Sequence, residues 1–175
     1  QQTKTSSREN AGDVVLSVSK LTTGKLRDVG FILKKVEVLG IAGLVGAGRS
    51  ELGSALFGLD PWISGEIRLH GRSIQPRSAR EAMNLGIGLL PEDRKLQGLM
   101  MQMSILENSS LPVLGKLQIF GWIRRASEVA RVTPVFESLR LKSRSYSASV
   151  SSLSGGNQQK VLFAKCLLAE PDVLF

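Results

Sequence analysis

Apolar and polar positions alternate over residues 14–19 (VVLSVS), which predicts an edge strand with one face on a core. Residues 28–44 (DVGFILKKVEVLGIAGL) supply two further β-rich runs, the last continuous and apolar enough to predict a buried parallel strand. After a glycine-rich loop, Leu52, Ala55, Leu56 and Leu59 recur at helical spacing, predicting about three turns that stop at GLDP. A short strand over 64–71 (SGEIRLHG), a brief helix over 77–86 ending at Gly86 and a short buried strand over 87–91 (IGLLP) follow. From Ser104 to about Leu141 the pattern turns helical, in one segment over 104–111 and a second over 123–141 that Pro134 interrupts. The serine-rich stretch 145–160 leads into a helix on which Val161, Ala164, Cys166, Leu167 and Leu168 form one broad apolar face. The last five residues, PDVLF, begin another apolar β run.

Composition narrows the class. A chain of 175 residues, 42% apolar and 22% charged, is large enough for a globular core. Residues 1–13 are polar and are expected to form a linker or tail ahead of a domain over 14–175. No apolar run approaches the length of about 18 residues needed to cross a bilayer, and the polar start lacks the apolar stretch of a signal peptide. The single cysteine, Cys166, excludes an internal disulfide and a cysteine cluster for zinc, fits a reducing compartment, and reads as core. Lys and Arg exceed Asp and Glu by 23 to 15, a net charge of +8, so a polyanionic partner is compatible; charge alone does not choose among nucleotide, nucleic acid and anionic lipid.

The chemistry lies in two motifs. Residues 43–50 (GLVGAGRS) have the glycine spacing of a phosphate-binding loop between a strand and a helix: glycines let successive N–H groups converge, and the helix N-terminus favours an anion. Arg49 stands where the loop lysine is expected. Its planar fork keeps the charge but does not reproduce a compact ammonium, so nucleotide binding with impaired hydrolysis is expected, while Ser50 keeps the hydroxyl that ligates magnesium. Further on, Ser154, Gly155 and Gly156 at a helix start offer a hydroxyl and N–H groups to a second phosphate. Either motif alone is commonplace, as a turn or a cap; their coincidence is not.

In these motifs the sequence resembles the ATPase subunits of ABC transporters. Leu153, Ser154, Gly155 and Gly156 match the family's Leu-Ser-Gly-Gly-Gln signature, with Asn157 in the fifth place and Gln158 after it. The stretches GIAGLVGAGRSEL, LLPEDRKLQGL, SILEN and LSGGNQQKVLFAKCLL look most similar to the second nucleotide-binding domain of tandem ATPases that power bacterial monosaccharide importers of the ribose, galactose and xylose type. The resemblance implies an α/β fold of the P-loop ABC type, with a mixed core sheet, an antiparallel β subdomain and a helical lobe over about 100–150. It implies ATP and Mg2+ as cofactors, with Gly43, Gly46, Ala47, Gly48, Arg49, Ser50 and Glu51 at the domain's own nucleotide and Ser50 on the metal. Leu153, Ser154, Gly155, Gly156, Asn157 and Gln158 would act in trans on a partner domain's ATP.

The departures from the family pattern fall mainly on the cis side. Besides Arg49, Glu92 occupies the place of the family's glutamine, no aromatic stands near Thr22–Lys25 to stack an adenine, and Val36 replaces a turn glycine. The family's magnesium aspartate, catalytic glutamate and switch histidine would follow Phe175, so no catalytic residue is expected within these residues; the fold is expected to be incomplete and the isolated chain inactive. His70 is expected at the surface of an early hairpin. The implied partners are a second nucleotide-binding domain, on the same chain or another, membrane permease subunits and, indirectly, a periplasmic sugar-binding protein, with no nucleic acid; the implied place is the cytoplasmic face of the cell membrane. Two alternatives remain: a non-catalytic remnant or regulatory nucleotide-binding module, and a DNA-associated ATPase of the same class, disfavoured by a short spacer without heptads or cysteines.

Overall fold

The alternating run near the start of the chain forms β1 (Val14–Thr23), and it is the middle of a sheet, not its edge. The computed structural model describes residues 13–119 and 122–175, in two units, Gln1–Arg77 and Ser78–Phe175. The expected linker or tail lies, apart from Asp13, outside the described residues.

In the first unit, β1 pairs antiparallel with β2 (Val29–Lys34) on one side and β3 (Trp62–Leu69) on the other, and β4 (Arg72–Ile74) completes the order β2-β1-β3-β4. Leu16, Val18 and Leu21 are buried on β1, and Leu16 and Val18 pair across the ladder with the buried Leu69 and Ile67. A surface edge strand is therefore excluded by burial as well as pairing. β3 begins earlier than its glycine suggested: Gly65 lies inside it at φ 110°, opposite a register shift in β1, where a Cβ would stand 2.6 Å from Lys20 O and Leu21 Cα. α1 (Arg49–Leu56) buries Leu52, Ala55 and Leu56 but runs for eight residues, about one turn short of the expectation. It ends because Gly58 turns to φ 71° and the amides of Phe57, Gly58 and Leu59 close back on Gly53, Ala55 and Ser54. Leu59 is left outside it, exposed.

The predicted buried parallel strand does not form. Residues 37–44 are neither strand nor helix, and Val38, Leu44 and Val45 are exposed. A parallel strand needs a neighbour to take its N–H and C=O groups, and among the described residues none pairs with this run.

The second unit begins with α2 (Ala79–Asn84), capped by Ser78, whose hydroxyl accepts from the Glu81 N–H at 3.2 Å. β5 (Ile87–Gly88) pairs in parallel with β8 (Val173–Leu174), so PDVLF does form a strand. α3 (Ile105–Ser110) starts in a capping box of Ser104 and Glu107. A 3-10 turn over Leu111–Val113, α4 (Leu114–Leu117), and a hairpin of β6 (Gln118–Ile119) and β7 (Trp122–Ile123) lead to α5 (Arg125–Ser138).

α5 runs unbroken through Pro134, contrary to the predicted interruption. Proline in a helix interior costs about 3 kcal/mol, but Val132 and Phe136 flank it fully buried in the same core as α3 and α6, and that burial holds the helix through the missing hydrogen bond. α6 (Gly155–Leu168) presents Val161, Leu162, Ala164 and Leu168 to this core; Leu167 is exposed, so the apolar face is narrower than expected and includes Leu162. Cys166 is half-buried with its thiol toward Leu89 O at 3.7 Å, and burial pushes its pKa up, which makes it an unreactive packing residue.

Candidate nucleotide-phosphate sites

Each motif sits at the start of a helix, one in each unit. In the first unit the loop of residues 43–48 needs its glycines for steric reasons. A Cβ on Gly43 would lie 2.8 Å from the Ala47 Cβ, and the Ala47 N–H donates to Leu44 O at 3.0 Å, closing a tight turn. Gly46 has φ 83°, and Gly48, the N-cap of α1, has φ 90° with its Cβ position 2.5 Å from Leu26 Cδ2. Such a cradle, open to solvent over 43–47 and ending at a helix N-terminus, fits a phosphate group.

Arg49 and Ser50 open α1 and are exposed. Glu51 is engaged with Lys25, whose Nζ donates to Oε1 at 3.2 Å. Its own main-chain N–H and then Lys25 hold the Glu51 carboxyl below the usual range. A carboxylate therefore already stands in the first turn of α1, paired with Lys25 at the positive end of the helix. The turn over Thr22–Lys25, where an adenine platform is lacking, is closed by Thr23 Oγ1 accepting from the N–H groups of Lys25 and Leu26 at 3.2 and 3.0 Å. Val36 occupies its turn at φ 61° and is 97% exposed.

In the second unit, Ser154 is the N-cap of α6, with φ −61° and ψ 156°, but its side chain makes no capping hydrogen bond. Among the described residues, the serine caps of the other α-helices behave differently: Ser78 of α2 and Ser104 of α3 each accept from the N–H three residues on, both at 3.2 Å, whereas Ser110 and Ser149, which start one-turn 3-10 segments, make no capping bond. At α6 the N–H groups of Gly155, Gly156 and Asn157 precede the first helical bond, Gln158 N to Ser154 O at 2.9 Å, and point out of an exposed end. These donors at the positive end of a fourteen-residue helix suit an anion.

Two carboxamides brace this end. Asn157 Oδ1 accepts from the Lys142 N–H, and Asn157 Nδ2 donates to Ser154 Oγ, both at 3.2 Å. The buried Gln158 donates through Nε2 to Leu153 O at 3.0 Å and to Val150 O at 3.4 Å, while its Oε1 accepts from Arg94 Nε at 3.3 Å. Arg94 belongs to a one-turn π segment, Arg94–Gly98, whose amides at Lys95 and Leu96 are capped by Asp93. The Leu96 and Lys95 N–H groups hold the Asp93 carboxyl below its usual range. Arg94 Nη2 lies 3.1 Å from where a Gly155 Cβ would stand, so the segment after β5 packs on the signature helix.

Glu92, in the place of the family glutamine, is exposed just ahead of that segment. Sequence reasoning missed Arg94; the only available signal was its place in PEDR, two residues after Glu92. His70 is exposed, at φ 50° in the turn between β3 and β4. Among the described residues no group of three or more His, Cys, Asp or Glu could hold a metal, so a magnesium ion at Ser50 would depend on phosphate oxygens for much of its shell.

The family described as ABC transporter is matched over residues 26–175. Ribose import ATP-binding protein RbsA 3 of Rhizobium meliloti is 43% identical over 170 residues, which are 96% of this chain and 34% of that protein. The putative ribose/galactose/methyl galactoside import ATP-binding protein of Pseudomonas syringae pv. syringae is 42% identical over 165 residues, 94% of this chain and 31% of that protein. The chain thus spans about a third of the length of these curated relatives. In fold it is similar to MJ1267 in its ADP conformation, an ATP-binding cassette of an ABC transporter, with a TM-score of 0.74 at 23% identity over 92% of this chain and 67% of that one. The structure of cbiO1 from Clostridium perfringens gives a TM-score of 0.73 at 24% identity over 93% and 64%. With the family model matched over residues 26–175 and the fold of an ATP-binding cassette, this protein belongs to the ABC transporter family.

Proposed function

We propose that this chain is an ATP-binding domain of a monosaccharide importer, of the second-domain type in tandem ATPases, and that it completes the ATP site of a partner domain. The observation that carries this reading is the uncapped end of α6, where the exposed Ser154, Gly155 and Gly156 and the half-buried Asn157 bring Ser154 Oγ and three main-chain N–H groups together. The serines that cap the α-helices α2 and α3 bond inward instead, to the N–H three residues on. Leu153 and Gln158 hold the turn from behind.

Bound ATP with magnesium would supply the phosphoryl group to be cleaved and the counter-charge for its transfer. The residues of this chain would bind and orient. Gly43, Gly46, Ala47 and Gly48 cradle the domain's own nucleotide, Arg49 supplies the charge, and Ser50 the hydroxyl for magnesium. With Glu51 in the first turn and arginine for lysine, this cis site holds nucleotide weakly and turns it over poorly. The trans site departs from the family signature only at Asn157 and carries the activity.

The relatives' names support ribose or a similar sugar as the cargo class. On this reading the direct partners are a second ATP-binding domain and permease subunits, and a sugar-binding protein is an indirect one. No helix among the described residues is long and apolar enough to cross a membrane, which suits peripheral attachment through a permease at the cytoplasmic face. When the chain is assembled with its partner domain, Ser154→Trp should abolish ATP turnover and Arg49→Ala should reduce it far less. Unchanged turnover in Ser154→Trp would refute the trans role, and a larger loss in Arg49→Ala would move the active site to the cis loop.

A further inference from the structure

Asn157 stands where the family signature has glutamine, and its two hydrogen bonds are not interchangeable. The Lys142 main-chain N–H can only donate, so it must face the carboxamide oxygen. That fixes the flip of the side chain and turns its NH2 group toward Ser154 Oγ, 3.2 Å away. An amide NH2 can only donate, so the serine oxygen accepts. A hydroxyl has one proton and two lone pairs; with a lone pair held by Asn157, the Ser154 proton is left for an acceptor outside the helix.

The anchor for this arrangement is firm. Lys142 follows the end of α5, where the Leu141 N–H donates to O of the fully buried Phe136 at 2.9 Å. Lys160 of α6 donates through Nζ to Arg140 O at 2.7 Å, so residues 140–142 are tied to α6 at two points. The competing geometry, Ser154 accepting from a main-chain N–H of its own helix, is the one taken at Ser78 and Ser104 and not here. The result is a helix end that presents donors: three N–H groups and one O–H.

We propose that Asn157 is a positioning residue that holds the Ser154 hydroxyl outward as a hydrogen-bond donor to a phosphate oxygen. This rests on the reading that the signature acts on a partner's ATP. Asn157→Asp is the discriminating change. An aspartate keeps the bond from the Lys142 N–H but can only accept, so Ser154 must donate inward and its proton is withdrawn from the phosphate. Asn157→Ala loses both bonds but leaves the hydroxyl free to turn outward.

The test measures ATP-dependent association of the chain with its partner domain, by sedimentation with a non-hydrolysable ATP analogue, alongside turnover. Asn157→Asp should lose both by roughly tenfold or more, close to Ser154→Ala, because a charge-assisted hydrogen bond is removed, whereas Asn157→Ala should lose less. In a Ser154→Ala background, Asn157→Asp should add little. A purely structural role predicts the reverse order, with Asn157→Ala worst, and a simple charge effect predicts the same Asn157→Asp loss with or without Ser154; either result overturns the proposal. In the chain alone, the Asn157 side-chain NH2 resonances should shift on Ser154→Ala, and their failure to move would also overturn it. If those resonances shift but Ser154→Ala leaves association and turnover intact, the trans reading falls and the proposal, which rests on it, falls with it.

Discussion

Val36 shows how a single departure from the family pattern is felt locally. It holds φ 61° in the turn where the Glu37 N–H donates to Lys34 O at 3.2 Å, and a β-branched residue is poorly suited to that conformation. Left-handed backbone costs an ordinary residue about 1–2 kcal/mol, against about 0.5–1 kcal/mol of extra chain entropy for glycine. Val36→Gly should therefore stabilise the chain by about 0.5–1 kcal/mol, measured as a shift in the urea midpoint at unchanged slope. Gly155 is the converse case. A methyl there would meet only the far end of the Arg94 side chain, at 3.1 Å, and would favour the helix, so Gly155→Ala should keep or raise the melting temperature while lowering ATP turnover with the partner domain. That two glycines follow Ser154 was legible in the sequence; that Arg94 lies against the first was not, because sixty residues separate them along the chain.

Among elements, β1 and β3 depend on one close approach. Gly65 combines φ 110° with main-chain atoms of Lys20 and Leu21 within 2.7 Å of a Cβ position, so nothing flexible can yield. Gly65→Ala should cost about 3 kcal/mol or more, from overpacking and an unfavourable dihedral together, and calorimetry of the variant should show it or a failure to fold. α3 depends on its capping box. Ser104, through its hydroxyl and then its N–H, lowers the pKa of Glu107 from its usual 4.5. Because the folded value is the lower one, the stabilisation is complete above 4.5 and disappears as pH falls through the lowered value. Glu107→Gln keeps a capping partner without a titrating group, so its stability should fall less steeply than that of the native chain in acid denaturation below pH 4.5. The box S-x-x-E was readable at 104–107; the persistence of α5 through Pro134 was not, because it depends on the burial of Val132 and Phe136 against other helices.

For the whole molecule, the helices that follow the two motifs, α1 and α6, lie in separate units, and the proposed function has each nucleotide shared between two domains. Amide hydrogen exchange should then divide by unit. With ATP and magnesium, the isolated chain should gain protection at residues 43–51 and little at 154–160; adding the partner domain should protect 154–160 as well. Protection of both segments in the isolated chain would contradict the trans assignment of the signature.

The periodicity of 14–19 and 157–169, the glycine spacing of 43–50 and the wording of 153–158 were sufficient for a strand, two helix starts and the cassette fold, because each depends on residues near in sequence. Only tertiary structure decided that β1 is central and that 37–44 stays out of a sheet, since a strand's place depends on partners that its own residues do not encode. It also decided which way the Ser154 hydroxyl faces. That depends on Asn157 meeting the Lys142 amide fifteen residues away, a contact made by the packing of α5 against α6.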